Sequence, residues 1–401
     1  MPTTLPRLRV AALSLLAVAG CGDLFSHGHS GSGGSGAAIS RTEGTAIDGA
    51  PGWRWVPFGD AVCTDATSDA SGHYTFGTST TGLAISWGPT TSTDVVIFLQ
   101  GGGACWEFVT CGGAAPLVNK TAATGPFGPA EFAQNIYEKY PNAWTRREHL
   151  PASLRDATIV FVPYCTGDVH GGDRVMTYVS LIPGFPSITW HHVGHANINA
   201  FLKRLVPTFP SPGKLVVAGS SGGGFGSLVN YPTFRASWPQ AKAYLVDDSG
   251  PPLIGDAIPA ITRAGWFASW NLGETLDPFC PECPADMSAG LREVLARYPN
   301  DRVALLSHLQ DKVIRGFFGT ITLTPTPALT PMPADVFEAQ LRLLGTTVMD
   351  PATTNGKYFF TAGDGHPTLE DPTAITTPSP GLEAWIDLML SDSAAWASAS
   401  D

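Results

Sequence analysis

The pentapeptide Gly219-Ser220-Ser221-Gly222-Gly223 centres a serine in a G-x-S-x-G pattern. It follows the apolar run Leu215-Val216-Val217-Ala218 and precedes a stretch able to form a helix. A strand–turn–helix junction of this kind is where a serine can act as a nucleophile. The sharp turn lifts the hydroxyl into a cleft, small neighbours let the turn approach adjacent strands, and the helix N-terminus favours nearby negative charge. A Walker-type phosphate loop would need Gly-Lys-Ser/Thr, which is missing here. Ser221 is therefore the candidate nucleophile.

Acyl transfer by a serine also needs donors for the tetrahedral oxyanion. Gly101-Gly102-Gly103 follows an apolar run that ends at Gln100, and glycines expose backbone N–H groups where such donors are required. With the amide after the nucleophile, the candidate donors are Gly102, Gly103 and Gly222. A base and an orienting acid should follow in the order Ser, Asp/Glu, His. Of the ten histidines, only His308 and His366 lie beyond Ser221. His308 sits at a strand end and reads as structural. His366 lies in Gly363-Asp364-Gly365-His366, a tight loop after a late apolar run, and is the candidate base. Asp311 is the favoured acid, with Asp247, Asp248 and Asp364 as alternatives. This constellation describes a two-step reaction through an acyl-enzyme, which calls for neither metal nor organic cofactor.

These groups need a rigid scaffold. Apolar runs at residues 94–100, 157–163, 214–218, 243–246, 302–306 and 357–361 read as strands buried on both faces. Residues 193–205, 336–344 and 382–390 carry apolar positions at helical spacing. Strands alternating with helices predict an α/β-hydrolase-like, doubly wound and mostly parallel sheet. Residues 52–63 and 82–87 add antiparallel strands at the front edge. Residues 252–300 and 317–335 fit the alternation poorly and are expected as inserted lid or loop segments. Asp168 and His170 occupy a Gly-rich loop, where they either line the cleft near His366 or bond the turn backbone. His191, His192 and His195 read as structural or surface groups. The eleven tryptophans suggest an aromatic platform for sugars, against ordinary packing.

The N-terminus reads as a targeting segment. Arg7 and Arg9 precede a short apolar run ending in Val18-Ala19-Gly20-Cys21, which matches a bacterial lipoprotein signal with Cys21 as the lipidated residue. The expected organisation is a signal peptide over residues 1–20, the lipidated Cys and a flexible Gly/Ser linker over 21–50, and a catalytic domain over 51–401. Setting Cys21 aside leaves Cys63, Cys105, Cys111, Cys165, Cys280 and Cys283. An even number in an exported chain reads as disulfides. Cys105–Cys111 and Cys280–Cys283 are close enough in sequence to be local pairs, which leaves Cys63–Cys165; a redox-active Cys280-Pro-Glu-Cys283 is the alternative for the last local pair. The net charge is −11, and no Lys/Arg cluster exists, so nucleic acid is a poor partner. The expected partners are an ester substrate and, through the anchor alone, a membrane. The expected state is a monomer at the cell surface or in the periplasm.

The motifs taken together resemble the pectin acetylesterase family, to which Notum belongs. The resemblance rests on Phe98-Leu-Gln-Gly-Gly-Gly-Ala-Cys105, Val162-Pro-Tyr-Cys165-Thr-Gly-Asp168, Gly219-Ser-Ser221-Gly-Gly, Val246-Asp-Asp-Ser-Gly250, Gln310-Asp311 and Gly365-His366. It implies a triad of Ser221, Asp311 and His366 and an esterase acting on acetyl or other short acyl groups. It also implies Cys63–Cys165 and Cys105–Cys111 bridges and a structural role for Asp248. Competing expectations are a longer-chain lipase, deacylase or polyester hydrolase on the same machinery, and a surface lipoprotein that binds without catalysis.

Overall fold

Period-two alternation within nearly all-apolar strands builds this protein around two cores. In Val95–Leu99 the side chains of Val95, Ile97 and Leu99 enter one core, and those of Val96 and Phe98 enter the other. The same split recurs at Leu215 and Val217 against Val216 and Ala218. A strand that buries both faces must be covered by helices on both sides. The computed structural model describes residues 36–68, 74–111, 125–180, 187–322, 328–350 and 355–401.

The strands in chain order are β1 (Thr45–Ala46), β2 (Trp53–Ser68), β3 (Tyr74–Ser86), β4 (Val95–Leu99), β5 (Thr158–Val162), β6 (Arg174–Tyr178), β7 (Ile188–His192), β8 (Lys214–Ser220), β9 (Lys242–Asp248), β10 (Arg302–His308), β11 (Thr320–Thr322), β12 (Ala328–Thr330), β13 (Gly356–Thr361) and β14 (Ala399–Ser400). Ten of them form one sheet in the order β1-β2-β3-β5-β4-β8-β9-β10-β13-β14. From β5 to β14 every pairing is parallel, and the front edge through β1, β2 and β3 is antiparallel. The expected mostly parallel, α/β-hydrolase-like sheet is the fold observed.

Helices α1 (Gly194–Thr208), α2 (Gly222–Ser237), α3 (Ala260–Trp270), α4 (Ser288–Arg297), α5 (Lys312–Phe317), α6 (Ala334–Leu344) and α7 (Leu382–Leu390) supply the cover. Helices α1, α2, α4 and α6 bury Phe201, Phe234, Leu291 and Phe337 on one face of the sheet. Helix α7, with Trp385 and Met389, joins Phe132 and Trp144 on the other. Each large side chain buried in this way contributes roughly 1.5–3 kcal/mol.

The segment 252–300, expected as an inserted lid or loop segment, is mainly helical. It carries α3 and α4 and sends Leu253, Trp266, Trp270, Leu276 and Leu295 into the first core. Its Gly and Pro residues divide it into short helices, which obscures any long periodicity. The end of the linker also belongs to the folded body. Ile39, Ile47 and Ala50 are buried, and β1 pairs with β2. The signal segment, Cys21 and the linker up to residue 35 lie outside the described residues. Among the described residues no helix is long and apolar enough to cross a membrane.

Candidate active site

In the parallel part of the sheet all strands point the same way, so the loops leaving their carboxyl ends converge, and such ends are where open α/β sheets form sites. The register Leu99↔Gly219, Ser220↔Asp248 and His308↔Thr361 brings the ends of β4, β8, β9, β10 and β13 to one edge. Gly101–Gly103, Ser221, Asp248, Asp311 and His366 all follow at that edge.

Ser221 occupies the turn from β8 into α2 with φ 59° and ψ −121°. A non-glycine residue in this region is strained, and its persistence at a strand-to-helix turn marks a nucleophile elbow. The flanking glycines are sterically required. A Cβ on Gly219 would run into the Gly223 carbonyl, and one on Gly223 into the carbonyl of Leu99. The Ser221 N–H donates to the Asp248 carbonyl at 2.7 Å, which fastens the elbow to the next strand.

Gly222 begins α2, where the first amides of a helix have no intrahelical acceptor. A Cβ at Gly222 would lie 2.9 Å from the Gly102 carbonyl and 3.6 Å from its nitrogen. The glycine loop therefore passes close beside Gly222, the proximity that a shared oxyanion pocket requires. The loop is braced beyond Gly103. The Cys105–Cys111 bridge closes there, and Trp270 Nε1 donates to the Cys105 carbonyl at 2.7 Å. Trp106 packs edge-on against Trp266 and Trp270, which stack on each other. These three tryptophans brace the loop by packing on one another.

His366 Nδ1 lies 2.7 Å from Asp311 Oδ2. Asp311 is fully buried, and its Oδ1 accepts the amides of Val313 and Ile314 at 2.9 and 3.0 Å as the cap of α5. One carboxylate oxygen thus fixes the acid and leaves the other for the imidazole. Of the alternatives, Asp248 is saturated. It accepts from Ser220 Oγ, Ser249 Oγ, Thr368 N, Thr368 Oγ1 and Leu369 N. It thereby ties the elbow to the loop carrying His366. Asp247 is buried, which pushes its carboxyl well above the usual range, with Asp248 adding to the effect. Asp364 is exposed and lies 3.9 Å from Lys312. His308 lies under the His366 loop, where a Cβ on Gly365 would meet its Nε2 at 2.7 Å.

Ser221, His366 and Gly101–Gly103 line one cavity of about 630 Å³. Phe98, Phe127, Ile136 and Phe161 form one apolar wall, and Val313 and Phe317 form another. Lys139, Tyr140 and Glu370 add polar groups that sequence reasoning missed. No motif or spacing marks them, because the Lys139-Tyr140 pair at a helix end and Glu370 reach the cleft from segments far apart in the chain. Burial pushes the Glu370 carboxyl up to about 7, opposed chiefly by the nearby His366.

Asp168 and His170 are buried and do not line this cavity. Asp168 accepts from Thr166 Oγ1, His170 N and Gly194 N, in line with the loop-bonding alternative. His192 is buried between the Thr166 carbonyl and Tyr178, and His195 contacts Asn230. The bridges Cys63–Cys165, Cys105–Cys111 and Cys280–Cys283 are all formed.

The sheet and its elbow define an α/β-hydrolase-like protein. Residues 60–254 match the family model described as Pectinacetylesterase. Over 177 residues it is 27% identical to "Palmitoleoyl-protein carboxylesterase notum1" of Xenopus laevis, covering 43% of this chain and 30% of that relative. The same shares of chain and relative align at 25% identity with "Palmitoleoyl-protein carboxylesterase notum2" of that species. The alignment thus spans less than a third of either relative's length. The family match takes in the glycine loop, Ser221 and Asp248. It ends before Asp311 and His366, which reach the site through the fold.

Proposed function

We propose that this protein is a serine carboxylic-ester hydrolase that removes acetyl or other short acyl groups from a glycan or small ester. The observation that carries the reading is Ser221, held in a strained elbow, sharing one cavity with an imidazole bonded to a buried, capped carboxylate. In the first half-reaction His366 Nε2 takes the Ser221 proton as Oγ attacks the ester carbonyl carbon. The oxyanion develops toward the amides of Gly102, Gly103 and Gly222, each such donor being worth roughly 10²–10³ in rate. The C–O bond to the alcohol breaks, and His366 returns the proton to the departing oxygen. In the second half a water gives its proton to His366 and attacks the acyl-enzyme, releasing the acid and restoring Ser221. Asp311 holds Nδ1–H and balances the imidazolium formed in each half.

The carboxylesterase names of the relatives support the ester class. A second reading, a longer-chain lipase or deacylase, is favoured by the cavity's size and its phenylalanine wall. The three disulfides and the Cys21 signal support an exported lipoprotein.

Hydrolysis of nitrophenyl acetate, butyrate, octanoate and palmitate, beside Ser221→Ala, tests the proposal. Serine-dependent activity greatest on acetate or butyrate is the expected result. A maximum at octanoate or beyond selects the second reading. Turnover unchanged in a folded Ser221→Ala protein would overturn both.

A further inference from the structure

Gln100, the residue that leads into the glycine loop, is gripped at three points. Its N–H donates to the Val162 carbonyl at 3.0 Å. Its side-chain Oε1 accepts from the Tyr164 N–H at 3.0 Å. Its carbonyl lies 2.9 Å from His170 Nε2. A carbonyl can only accept, so the ring must carry its proton on Nε2 and donate. The Gln100 carbonyl belongs to the peptide unit that joins Gln100 to Gly101, so its direction sets where the chain points as it enters Gly102 and Gly103.

His170 is itself rigidly held. Its backbone has φ 59°, a conformation costly for a residue with a Cβ. Its N–H donates to Asp168 Oδ1 at 3.1 Å, and its carbonyl accepts from Asn230 Nδ2 at 2.9 Å. The ring lies on Tyr164 with centroids 4.7 Å apart. On its other side is α2, the helix that Ser221 caps. A Cβ on Gly226 would come within 2.8 Å of His170 Cδ2. One buried imidazole thus touches the donor loop through Gln100 and the nucleophile's helix at Gly226, and the backbone carbonyl of the same residue is held by Asn230 of that helix.

We propose that His170 is a positioning residue for the reaction, its Nε2–H fixing the oxyanion loop at the distance from Ser221 at which Gly102, Gly103 and Gly222 can share one oxygen. The proposal rests on the serine-hydrolase reading above. Displaced donors weaken the transition state and leave the bound ester largely unaffected, so the loss should fall on kcat. Burial pushes the His170 ring down to about 4, so it stays neutral and keeps a single ring proton through the working range.

The test compares His170→Gln with His170→Met in the otherwise intact protein. Glutamine can place a donor N–H near the position of Nε2, whereas methionine fills similar space without one. The expected result is kcat within roughly tenfold of the parent for His170→Gln, a loss of about 10²-fold for His170→Met, and KM little changed in both. A purely structural histidine would instead lower both variants together, in step with their thermal unfolding. Equal kcat losses in the two folded variants, or a folded His170→Met with parental kcat, would overturn the proposal. Should either variant fail to fold, the imidazole ¹⁵N shifts of the unmodified protein decide. A neutral ring protonated on Nε2 is expected, and one protonated on Nδ1 would overturn the assignment. Parental turnover that survives Ser221→Ala would remove the serine reading beneath it, an outcome separable from any His170 result.

Discussion

Asp311→Asn separates the acid's two duties. In the native site Oδ1 accepts the Val313 and Ile314 amides, and Oδ2 accepts from His366 Nδ1. An asparagine must present its oxygen to the two amides, because an NH₂ group cannot accept there. Its nitrogen then faces His366 Nδ1 and donates to it. The imidazole is forced to carry its proton on Nε2, the atom that has to take the proton of Ser221. A base locked in the wrong tautomer costs on the order of 10⁴ in kcat, which is about 5.4 kcal/mol of transition-state stabilisation. Stability should change by under about 1 kcal/mol, since Asn and Asp cap helices about equally well. Asp311→Ala, which abolishes the cap, should cost about 1–2 kcal/mol. Steady-state kinetics on nitrophenyl acetate and chemical unfolding of the three proteins measure both effects. If folded Asp311→Asn kept kcat within tenfold of the parent, Asp311 would not be the orienting acid.

Three further outcomes are expected. Replacing Cys63 and Cys165 together by serine opens a bridge spanning 102 residues; the loss should approach roughly 4–5 kcal/mol by loop entropy, read as a lowered denaturation midpoint, and an unchanged midpoint would show the bridge to be dispensable. Glu370 gains its charge as pH rises through about 7, and an anion near His366 favours the imidazolium formed during acyl transfer. Activity above that pH should therefore be higher with Glu370 than without it, so Glu370→Gln should lower the high-pH rate and change the profile; a pH profile identical to the parent's would exclude this carboxyl. His170 is held down to about 4 from its ordinary 6.5, so the folded state binds fewer protons than the unfolded chain between those values. Its contribution is complete above pH 6.5 and is lost as pH falls toward 4. His170→Gln should lose less stability on acidification than the parent, by roughly 1.4 kcal/mol per pH unit inside that window; parallel melting curves against pH would refute a buried neutral ring.

The sheet was legible because its strands bury both faces, which leaves a short apolar run at each of them. The front edge was underestimated. Strand β2 runs on beyond residue 63 to Ser68 and β3 begins ahead of residue 82 at Tyr74, with a register shift between Phe58 and Val62, and their polar residues mask the alternation. Ser221 and the glycine loop were visible because their chemistry dictates local backbone geometry, and small residues record that requirement. The candidate acid was different. Asp247, Asp248 and Asp311 all follow Ser221 and precede His366, and chain order alone does not separate them. Among them Asp311 is the one placed 2.7 Å from His366. Lys139, Tyr140 and Glu370 carried no signal, since a cleft wall built from distant segments obeys no spacing rule.

In the proposed mechanism the buried Asp311 and Asp248 divide the work. Asp311 gives one oxygen to a helix cap and the other to His366, so its charge would act on the proton transfer. Asp248 spends both oxygens on hydroxyls and amides from Ser220, Ser249, Thr368 and Leu369. It has no free lone pair for an imidazole, but it binds the elbow strand to the loop that begins two residues after His366. A carboxylate so satisfied acts as a multidentate clamp, and leaving its partners unpaired would cost each of them the desolvation penalty of a buried polar group. Neutralising Asp248 should therefore loosen both the Ser221 turn and the His366 loop, whereas neutralising Asp311 should leave the frame standing and stop the chemistry. The same logic extends to the opposite side of Ser221, where His170 holds the donor loop as Asp248 holds the base. The strained serine thus lies between two buried groups, Asp248 and His170, that stand outside the cavity lined by Ser221 and His366.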